Sequence, residues 1–467
     1  MNVRDLINRF KTDPRVLAIA QSLNNSKSKT QIKGLVGSSD AVVALTTYFL
    51  QHKPQLFVLP NREEAAYFSS DLESILGKEI LLFPSSFRKP FEFTQVDTAN
   101  VLARAEVLNE LNHQSEYGQI VVTYPEALAE KVIDRSVLEK NTLEINVGAS
   151  LGIDFINEFL FEYDFERSEF VYEPGQFSIR GGIVDIFSFS HDLPYRIEFF
   201  GDEVESIRTF EIESQLSVDE VKTLTIVPNV QAKFLTENNI SLLDYIENDT
   251  QLWFKDVAFT LDIIRGGYKK ANELWKALSA AEKQANPNWL DPKFAFSDEK
   301  MVADLFQDFT LIEFGKQFFY QTDNVFNFDT KPQPSFNKDF NLLIHNFKEN
   351  EKLGVNNFIF TNSSKQVERL YAILDDIDKT VKFIPIHTPL REGFLDVAQK
   401  VAFYTDHQIF DRFYKYQLKK GYQRSQAITL KELRDLKPGD FVTHIDHGIG
   451  KYAGLEKVET NGKMQEM

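Results

Sequence analysis

The chain contains no cysteine. Disulfides, thiolate zinc sites and cysteine nucleophiles are therefore excluded, and a reducing cytoplasm fits this composition. Long apolar runs are also missing: one of the longest, AVVALTTYFL at 41–50, is interrupted by threonines and falls short of the ~18 residues of a membrane span. The N-terminal stretch MNVRDLINRFKTDPR is charged throughout and has no signal-peptide core. We expect a cytoplasmic protein without a membrane partner.

Basic residues are scarce relative to acidic ones. The chain has 52 Lys and Arg against 69 Asp and Glu, which gives a formal net charge of −17. The imbalance is steepest between 141 and 222, where 18 acidic residues face 5 basic ones. Duplex DNA binding draws its affinity from clustered Lys and Arg, so we expect this chain to bind undamaged DNA weakly. Such an acidic surface suits a protein partner with basic patches.

At 467 residues the chain is too long for one ordinary domain. Its first 138 residues alternate short apolar runs with helical periodicity, which indicates a parallel sheet covered on both faces. Strands are predicted at 31–36, 56–59, 80–83 and 120–123, and helices at 41–51, 62–76 and 98–111.

Near residue 140 the pattern changes to longer, alternating strands, GQFSIRGGIVDIF and YRIEFFGDEVESIRTF. Turns at 181–182 and 201–202 separate these strands, so we expect an α+β module with an antiparallel sheet at 139–228. Helices and short strands return at 229–347. A small α/β domain is expected at 348–414, a polar linker at 415–436 and the start of a last domain at 437–467.

Two stretches of this sequence carry a family resemblance. Residues 172–200, YEPGQFSIRGGIVDIFSFSHDLPYRIEFF, resemble a module shared by the excision-repair helicase UvrB and the transcription-repair coupling factors. Residues 440–455, DFVTHIDHGIGKYAGL, resemble the start of the RNA-polymerase-interacting domain, which the coupling factors have and UvrB lacks. The chain therefore resembles the N-terminal portion of a transcription-repair coupling factor.

This resemblance implies an architecture and partners. The module at 139–228 would be inserted within a degenerate, phosphate-loop-like UvrB-type α/β domain formed by 1–138 and 229–347, and it would bind UvrA. The last domain, which starts near Gly439, would be a β-barrel that binds the RNA polymerase β subunit. The family's barrel motif continues past Met467, so we expect only a truncated barrel here. In the whole protein, ATP, magnesium and DNA would be bound by a downstream motor.

The resemblance assigns UvrA-binding roles to Arg167, Arg180, Phe187 and Arg196. Arginine beside an aromatic is typical of interface hot spots. An alternative stays open, in which these arginines only pair with neighbouring carboxylates. Strand alternation predicts that Arg180 lies on the face opposite to Phe177.

A phosphate-binding loop has the pattern GxxxxGK[ST] between a strand and a helix. Here GLVGSSDAVVAL from Gly34 has a further glycine at Gly37, but the second glycine position of the pattern holds Ser39, the lysine position holds Asp40 and the hydroxyl position holds Ala41. A carboxylate at the lysine position would repel a triphosphate. Alternatively, Asp40 is a helix N-cap, and we favour this interpretation.

The second nucleotide motif of helicases ends in Asp-Glu, where Asp binds the magnesium shell and Glu orients water. In LWFKDVAF the aspartate survives as Asp256, but Val257 replaces the glutamate. We therefore expect no bound cofactor and no ATPase activity in this chain. Two alternatives remain, an active UvrB-like helicase and a stand-alone polymerase-binding regulator. His444 and His447 have no further ligand near them in sequence, so no metal site is expected.

Overall fold

A computed structural model describes residues 3–89, 91–93, 96–113, 117–189, 191, 193–227, 239–286, 289–414, 439–444, 448–451, 457–460 and 463–466. The chain divides into two compact units, Met1–Gly421 and Tyr422–Met467. The expected linker at 415–436 and His447 lie outside the described residues. No helix in the described part of the chain is both long and apolar enough to cross a membrane.

The strands of the described residues are numbered in chain order. They are β1 Lys29–Lys33, β2 Gln55–Val58, β3 Leu81–Leu82, β4 Ile120–Thr123, β5 Leu143–Asn146, β6 Glu166–Arg167, β7 Gln176–Arg180, β8 Ile183–Ile186, β9 Tyr195–Phe200, β10 Glu203–Phe210, β11 Ser217–Val221, β12 Thr223–Ile226, β13 Gln251–Phe254, β14 Thr310–Gly315, β15 Val325–Asn327, β16 Thr330–Pro332, β17 Asn356–Phe360, β18 Ile384–Ile386, β19 Phe394–Asp396, β20 Val401–Thr405, β21 Phe441–His444, β22 Gly448–Lys451, β23 Lys457–Thr460 and β24 Lys463–Glu466.

The helices of the described residues are named by their bounds. They are Val3–Phe10, Pro14–Ser22, Ser39–Gln51, Arg62–Leu76, Thr98–Asn112, Pro125–Ala129, Arg135–Lys140, Ile153–Glu162, Leu242–Tyr245, Val257–Ala277, Ala280–Ala285, Pro292–Ala295, Glu299–Leu305, Phe340–Lys352, Ser364–Ile377 and Asp406–Ile409, with a short 3-10 helix at Phe306–Asp308.

The main sheet has seven strands in the order β15-β1-β14-β13-β2-β4-β3, and every pair in it is parallel. Strands β2, β4 and β13 are buried along their whole length, as expected where helices cover both faces. Strands β13 and β14 lie between β1 and β2 in the sheet. Gln251 of β13 pairs with Gln55 of β2, although 196 residues separate the two in sequence. One sheet thus joins the chain before and after the module. The α/β class with a parallel sheet is confirmed.

The inserted module is built on a six-stranded sheet in the order β11-β10-β9-β8-β7-β6. Its strands are antiparallel from β7 to β11, but β6 pairs with β7 in parallel, so the sheet is mixed rather than purely antiparallel. The helix Ile153–Glu162 packs on one face, where the Phe161 and Phe177 rings lie 5.3 Å apart. A separate antiparallel pair, β5 with β12, joins the chain where it enters and leaves the module.

A third sheet, in the order β16-β19-β20-β17-β18, forms the small α/β domain. Its core includes Phe347, Ile359 and Leu370, each 0% exposed. In the second unit, β21 pairs with β22 and β23 pairs with β24, both antiparallel. Among the described residues of that unit these strands form two separate hairpins and do not close into a barrel.

One buried ion pair fixes the connection that follows β3. Glu130 is 2% exposed and accepts hydrogen bonds from the Ser86 N–H at 2.9 Å and the Ser85 hydroxyl at 3.1 Å. The Arg104 guanidinium, 4% exposed, lies 3.5 Å from Glu130 and donates to the Pro84 carbonyl at 2.8 Å. Glu130 thus neutralises a buried cation and orders the 84–86 loop.

We predict that Glu130→Ala lowers the free energy of unfolding by ~3–5 kcal/mol, because it leaves the Arg104 charge buried without its carboxylate. Urea denaturation monitored by circular dichroism measures this loss. The control is Asp262→Ala, which breaks an exposed pair with Arg265 and should cost under ~1 kcal/mol. Equal losses in the two variants would contradict the prediction.

Candidate functional sites

The face of the module's sheet that lies opposite the helix Ile153–Glu162 is polar. Strand register places Ser178, Asp185, Arg196, Arg208 and Glu220 directly opposite one another across β7 to β11. Directly opposed residues share a face of the sheet. We call this side the arginine face.

A second row of the arginine face runs beside the first. It contains Arg180, Ile183, Glu198 and Ser206. Phe177 is fully buried on the other face, as the alternation along β7 predicted.

A buried carboxylate joins two arginines on this face. Asp185 is 0% exposed and pairs with both Arg180 and Arg196. Arg196 holds it with two hydrogen bonds of 2.8 and 3.0 Å and lies 4.7 Å above the Phe210 ring. The hydrogen bond to Asp185 raises the pKa of Arg196. This arginine is therefore largely structural.

Arg180 is the more accessible of the two arginines. Its side chain is 38% exposed, against 17% for Arg196. It also donates to the Glu169 carbonyl at 2.9 Å and lies 5.3 Å from the centre of the Phe170 ring. These contacts hold the guanidinium in one orientation, while 38% of the side chain stays exposed to solvent.

An exposed aromatic of the arginine face is Phe200, the second residue of the adjacent pair Phe199-Phe200. Residues 196, 198 and 200 alternate along β9 and so share this face. Phe200 is 79% exposed at the end of its strand, beside Gly201 at φ +63°. The observable signal in the sequence was the adjacent pair Phe199-Phe200, which must point to opposite sides of a strand.

Two of the expected UvrA-binding residues lie elsewhere. Phe187 is 0% exposed, inside the module. Arg167 is exposed on the edge strand β6, where register places it beside Phe177 and therefore on the side opposite to Arg180. The structure thus brings together Arg180 and Arg196 but not Arg167 or Phe187.

The degenerate phosphate loop lies at the carboxyl ends of the parallel strands, beside a cleft of about 540 Å³. Gly34 ends β1 at φ +81°, and a Cβ there would lie 1.8 Å from the Phe328 carbonyl oxygen. Only glycine fits so close to another backbone.

Several N–H groups of this loop already have partners within the protein. Val36 donates to the Ser39 hydroxyl at 2.9 Å, Ser38 to the Glu392 carbonyl at 3.1 Å, and Ser39 to the Val36 carbonyl at 3.3 Å. The Ala41 N–H donates to the Asp40 carboxylate at 2.8 Å. A phosphate would have to displace these acceptors before the loop could bind it.

The proposed N-cap role of Asp40 is wrong. The helix begins at Ser39 with Ser38 at the cap position, so Asp40 lies within the first turn. Its carboxylate instead accepts a hydrogen bond from the Lys255 ammonium at 3.1 Å, and Asp40 is the largest influence raising the pKa of Lys255. The chain therefore supplies a lysine to this cleft from the end of β13, but a carboxylate neutralises it.

The second nucleotide motif has also taken structural roles. Asp256 caps the helix Val257–Ala277, where its carboxylate accepts the Phe259 N–H at 2.8 Å. Val257 is 1% exposed in the core. In this arrangement the Asp256 carboxylate serves the helix terminus.

A buried carboxylate lies beneath the loop. Asp71 is 3% exposed and accepts hydrogen bonds from the Ser38 hydroxyl at 2.6 Å and the Arg391 N–H at 2.7 Å. Burial raises the pKa of Asp71 to about 7, and the nearby Asp40 adds to this.

Two family models match parts of the chain. One is described as the UvrB interaction domain and matches residues 143–231, which include the arginine face. The other is described as the CarD-like/TRCF RID domain and matches residues 436–467. The chain is thus similar to a UvrB interaction domain at 143–231 and to a CarD-like/TRCF RID domain at 436–467.

Transcription-repair-coupling factors are similar to this chain along almost all of its length. The chain is 25% identical to that of Bacillus subtilis (strain 168), 25% to that of Myxococcus xanthus and 22% to that of Staphylococcus aureus (strain USA300). The alignments cover 95%, 93% and 94% of this chain and 43% of each relative, so the chain spans less than half their length. The predicted resemblance to the N-terminal portion of a transcription-repair-coupling factor is confirmed.

We predict that Arg196→Ala destabilises the protein by ~3 kcal/mol or more, whereas Arg180→Ala costs ~1 kcal/mol or less. Removing Arg196 deprives the buried Asp185 of its bidentate partner, while the exposed Arg180 contributes a weaker, solvent-screened contact. Urea denaturation of the two variants measures the difference. If Arg180→Ala is as destabilising as Arg196→Ala, the two arginines are equally structural.

A second prediction concerns pH. Because the pKa of Asp71 is raised in the folded state, unfolding releases a proton between about pH 4 and pH 7, and the stability present below this window is lost as pH rises through it. Relative to Asp71→Asn, which does not titrate, the wild type should lose up to ~1.4 kcal/mol per pH unit between pH 5 and 7. Parallel pH–stability curves for the two proteins would contradict this.

Proposed function

We propose that this chain is the adaptor region of a transcription-repair-coupling factor, which recruits UvrA to RNA polymerase stalled at a lesion during nucleotide excision repair. The matches to the UvrB interaction domain and the RID domain support both partners. The hairpins from Gly439 onward would bind the polymerase β subunit by edge-strand addition. On this proposal the protein acts in the cytoplasm.

The observation that carries the proposal is the arginine face. Arg180 and Phe200 are exposed on one side of a rigid sheet, and Arg196 and Asp185 hold that side in place. Arginine and aromatic side chains fixed in this way are typical interface anchors. Because acidic residues surround this face in excess, it favours a partner protein with a basic surface over a nucleic acid.

The remaining residues assigned to UvrA take secondary roles in this proposal. Arg167, on the edge strand β6, would contact a partner that extends around the edge of the sheet. Phe187, which is buried, would support β8 and its Asp185 from inside the module.

We further infer that this chain is not itself an ATPase and binds neither ATP nor magnesium. The loop N–H groups are bonded within the protein, and Asp40 neutralises Lys255. These contacts disfavour the UvrB-like helicase alternative. In the full-length protein an ATP-driven translocase that binds DNA would supply the motor and displace the polymerase.

We predict that Phe200→Ala and Arg180→Ala each weaken binding of purified UvrA at least ~30-fold, as expected when ~2 kcal/mol of interface energy is lost. The matched control is Phe155→Ala, because Phe155 is 50% exposed but belongs to the helix Ile153–Glu162 on the opposite side. Biolayer interferometry with immobilised chain gives the affinities, and circular dichroism checks folding.

Two results would overturn the proposal. If the wild-type chain does not bind UvrA, the adaptor function fails. If Phe155→Ala loses as much affinity as Phe200→Ala, the partner does not select the arginine face.

A further inference from the structure

We propose that the degenerate phosphate loop is the docking site of a strap from the small α/β domain. The strap is the segment Arg391–Gly393. It takes the position on the loop that a phosphate group takes in nucleotide-binding folds of this type, and it fastens the small domain to the main sheet without any nucleotide.

Backbone atoms make the first set of contacts. The Ser38 N–H donates to the Glu392 carbonyl at 3.1 Å, and the Glu392 N–H donates back to the Ser38 hydroxyl at 3.0 Å. A Cβ on Gly37 would lie 2.9 Å from the Gly393 carbonyl oxygen, so glycine is needed for this approach. In phosphate-binding loops, backbone N–H groups donate hydrogen bonds to phosphate oxygens. Here the Ser38 N–H of the loop donates to the Glu392 carbonyl oxygen instead.

The helix Arg62–Leu76 provides the second set of contacts. The two carboxylate oxygens of Asp71 accept one hydrogen bond from the loop, at Ser38, and one from the strap, at the Arg391 N–H. The Arg391 guanidinium bonds Glu64 at 2.8 Å and lies 4.1 Å above the Tyr67 ring. The strap is therefore held by charge and packing as well as by backbone.

The strap is equally fixed to its own domain. The Gly393 N–H donates to the Gln408 side chain at 2.7 Å, and a His407 ring nitrogen lies 2.8 Å from the Arg391 carbonyl oxygen. A Cβ on Gly393 would lie 2.3 Å from the Phe403 carbonyl oxygen. Because both sides of the strap are held, releasing it from the loop requires the small domain to move with it.

Hydrogen exchange of the whole 467-residue chain tests the docking. Ser38→Ala removes the hydroxyl that bonds both Asp71 and the Glu392 N–H, so strap peptides covering 391–393 should exchange at least about tenfold faster. The matched control is Ser39→Ala in the same loop, since the Ser39 hydroxyl bonds Val36 and Thr330 and not the strap. It should leave strap exchange unchanged.

A second pair of variants distinguishes release of the strap from general unfolding of the protein. Arg391→Ala should also accelerate exchange at 34–40, on the partner side of the contact, while Arg412→Ala, which breaks the small domain's Asp406 pair, should not. Unchanged exchange at 34–40 in Arg391→Ala, or at 391–393 in Ser38→Ala, would overturn the proposal.

Mg-ATP provides the last arm of the experiment. At millimolar concentration it should leave exchange at 34–41 and at 391–393 as it was, because the strap occupies the loop. Protection of 34–41 together with faster exchange at 391–393 would show that nucleotide displaces the strap, and the proposal that the strap fastens the small domain permanently, in place of a nucleotide, would then be wrong.

Discussion

The structure depends on the parallel pairing of β13 with β2 and of β14 with β1. These pairs close the main sheet across the inserted module, and loops at their carboxyl ends build the cleft at Gly34. Closing so long a connection costs entropy that grows only slowly with its length, which makes a module-sized insertion tolerable. Because β13 and β14 are central strands, the module is anchored at the most buried part of the sheet.

Local sequence patterns predicted the elements well where local chemistry decides them. The predicted strand at 120–123 and helix at 62–76 have the observed bounds, the latter because Asn61 caps it at one end and Gly77 ends it at the other. The first strand is shifted to Lys29–Lys33, since Gly34 turns away against the Phe328 backbone. Long-range contacts explain what was missed: the partner of Asp40, Lys255, lies 215 residues away in sequence. Alternation along β9 places Phe199 and Phe200 on opposite faces of the sheet, but only the folded structure shows that Phe200 is exposed. It also shows that Phe187, which was expected at the partner surface, is buried.

Two buried carboxylates, Asp185 and Asp71, organise the two sites in different ways. Asp185 has guanidinium groups on both sides, so its charge is compensated within one sheet face. Asp71 accepts hydrogen bonds from a hydroxyl and a backbone N–H, which favour its charged form, but its burial outweighs them and raises its pKa, and the nearby Asp40 adds to this rise. The first arrangement fixes the side chains of an exposed sheet face. The second joins two parts of the same chain, and its strength depends on protonation.

The crowding around Gly34 and Gly37 constrains substitutions in this loop. Restoring a lysine at position 40 alone would place its ammonium beside that of Lys255 and would remove the carboxylate that accepts the Ala41 N–H. The Ser38 N–H would still be bound to Glu392. A phosphate site here would require changes in the loop, at the end of β13 and in the strap together, because each of them holds part of the present contacts. A single substitution at position 40 would therefore not open this loop to a phosphate.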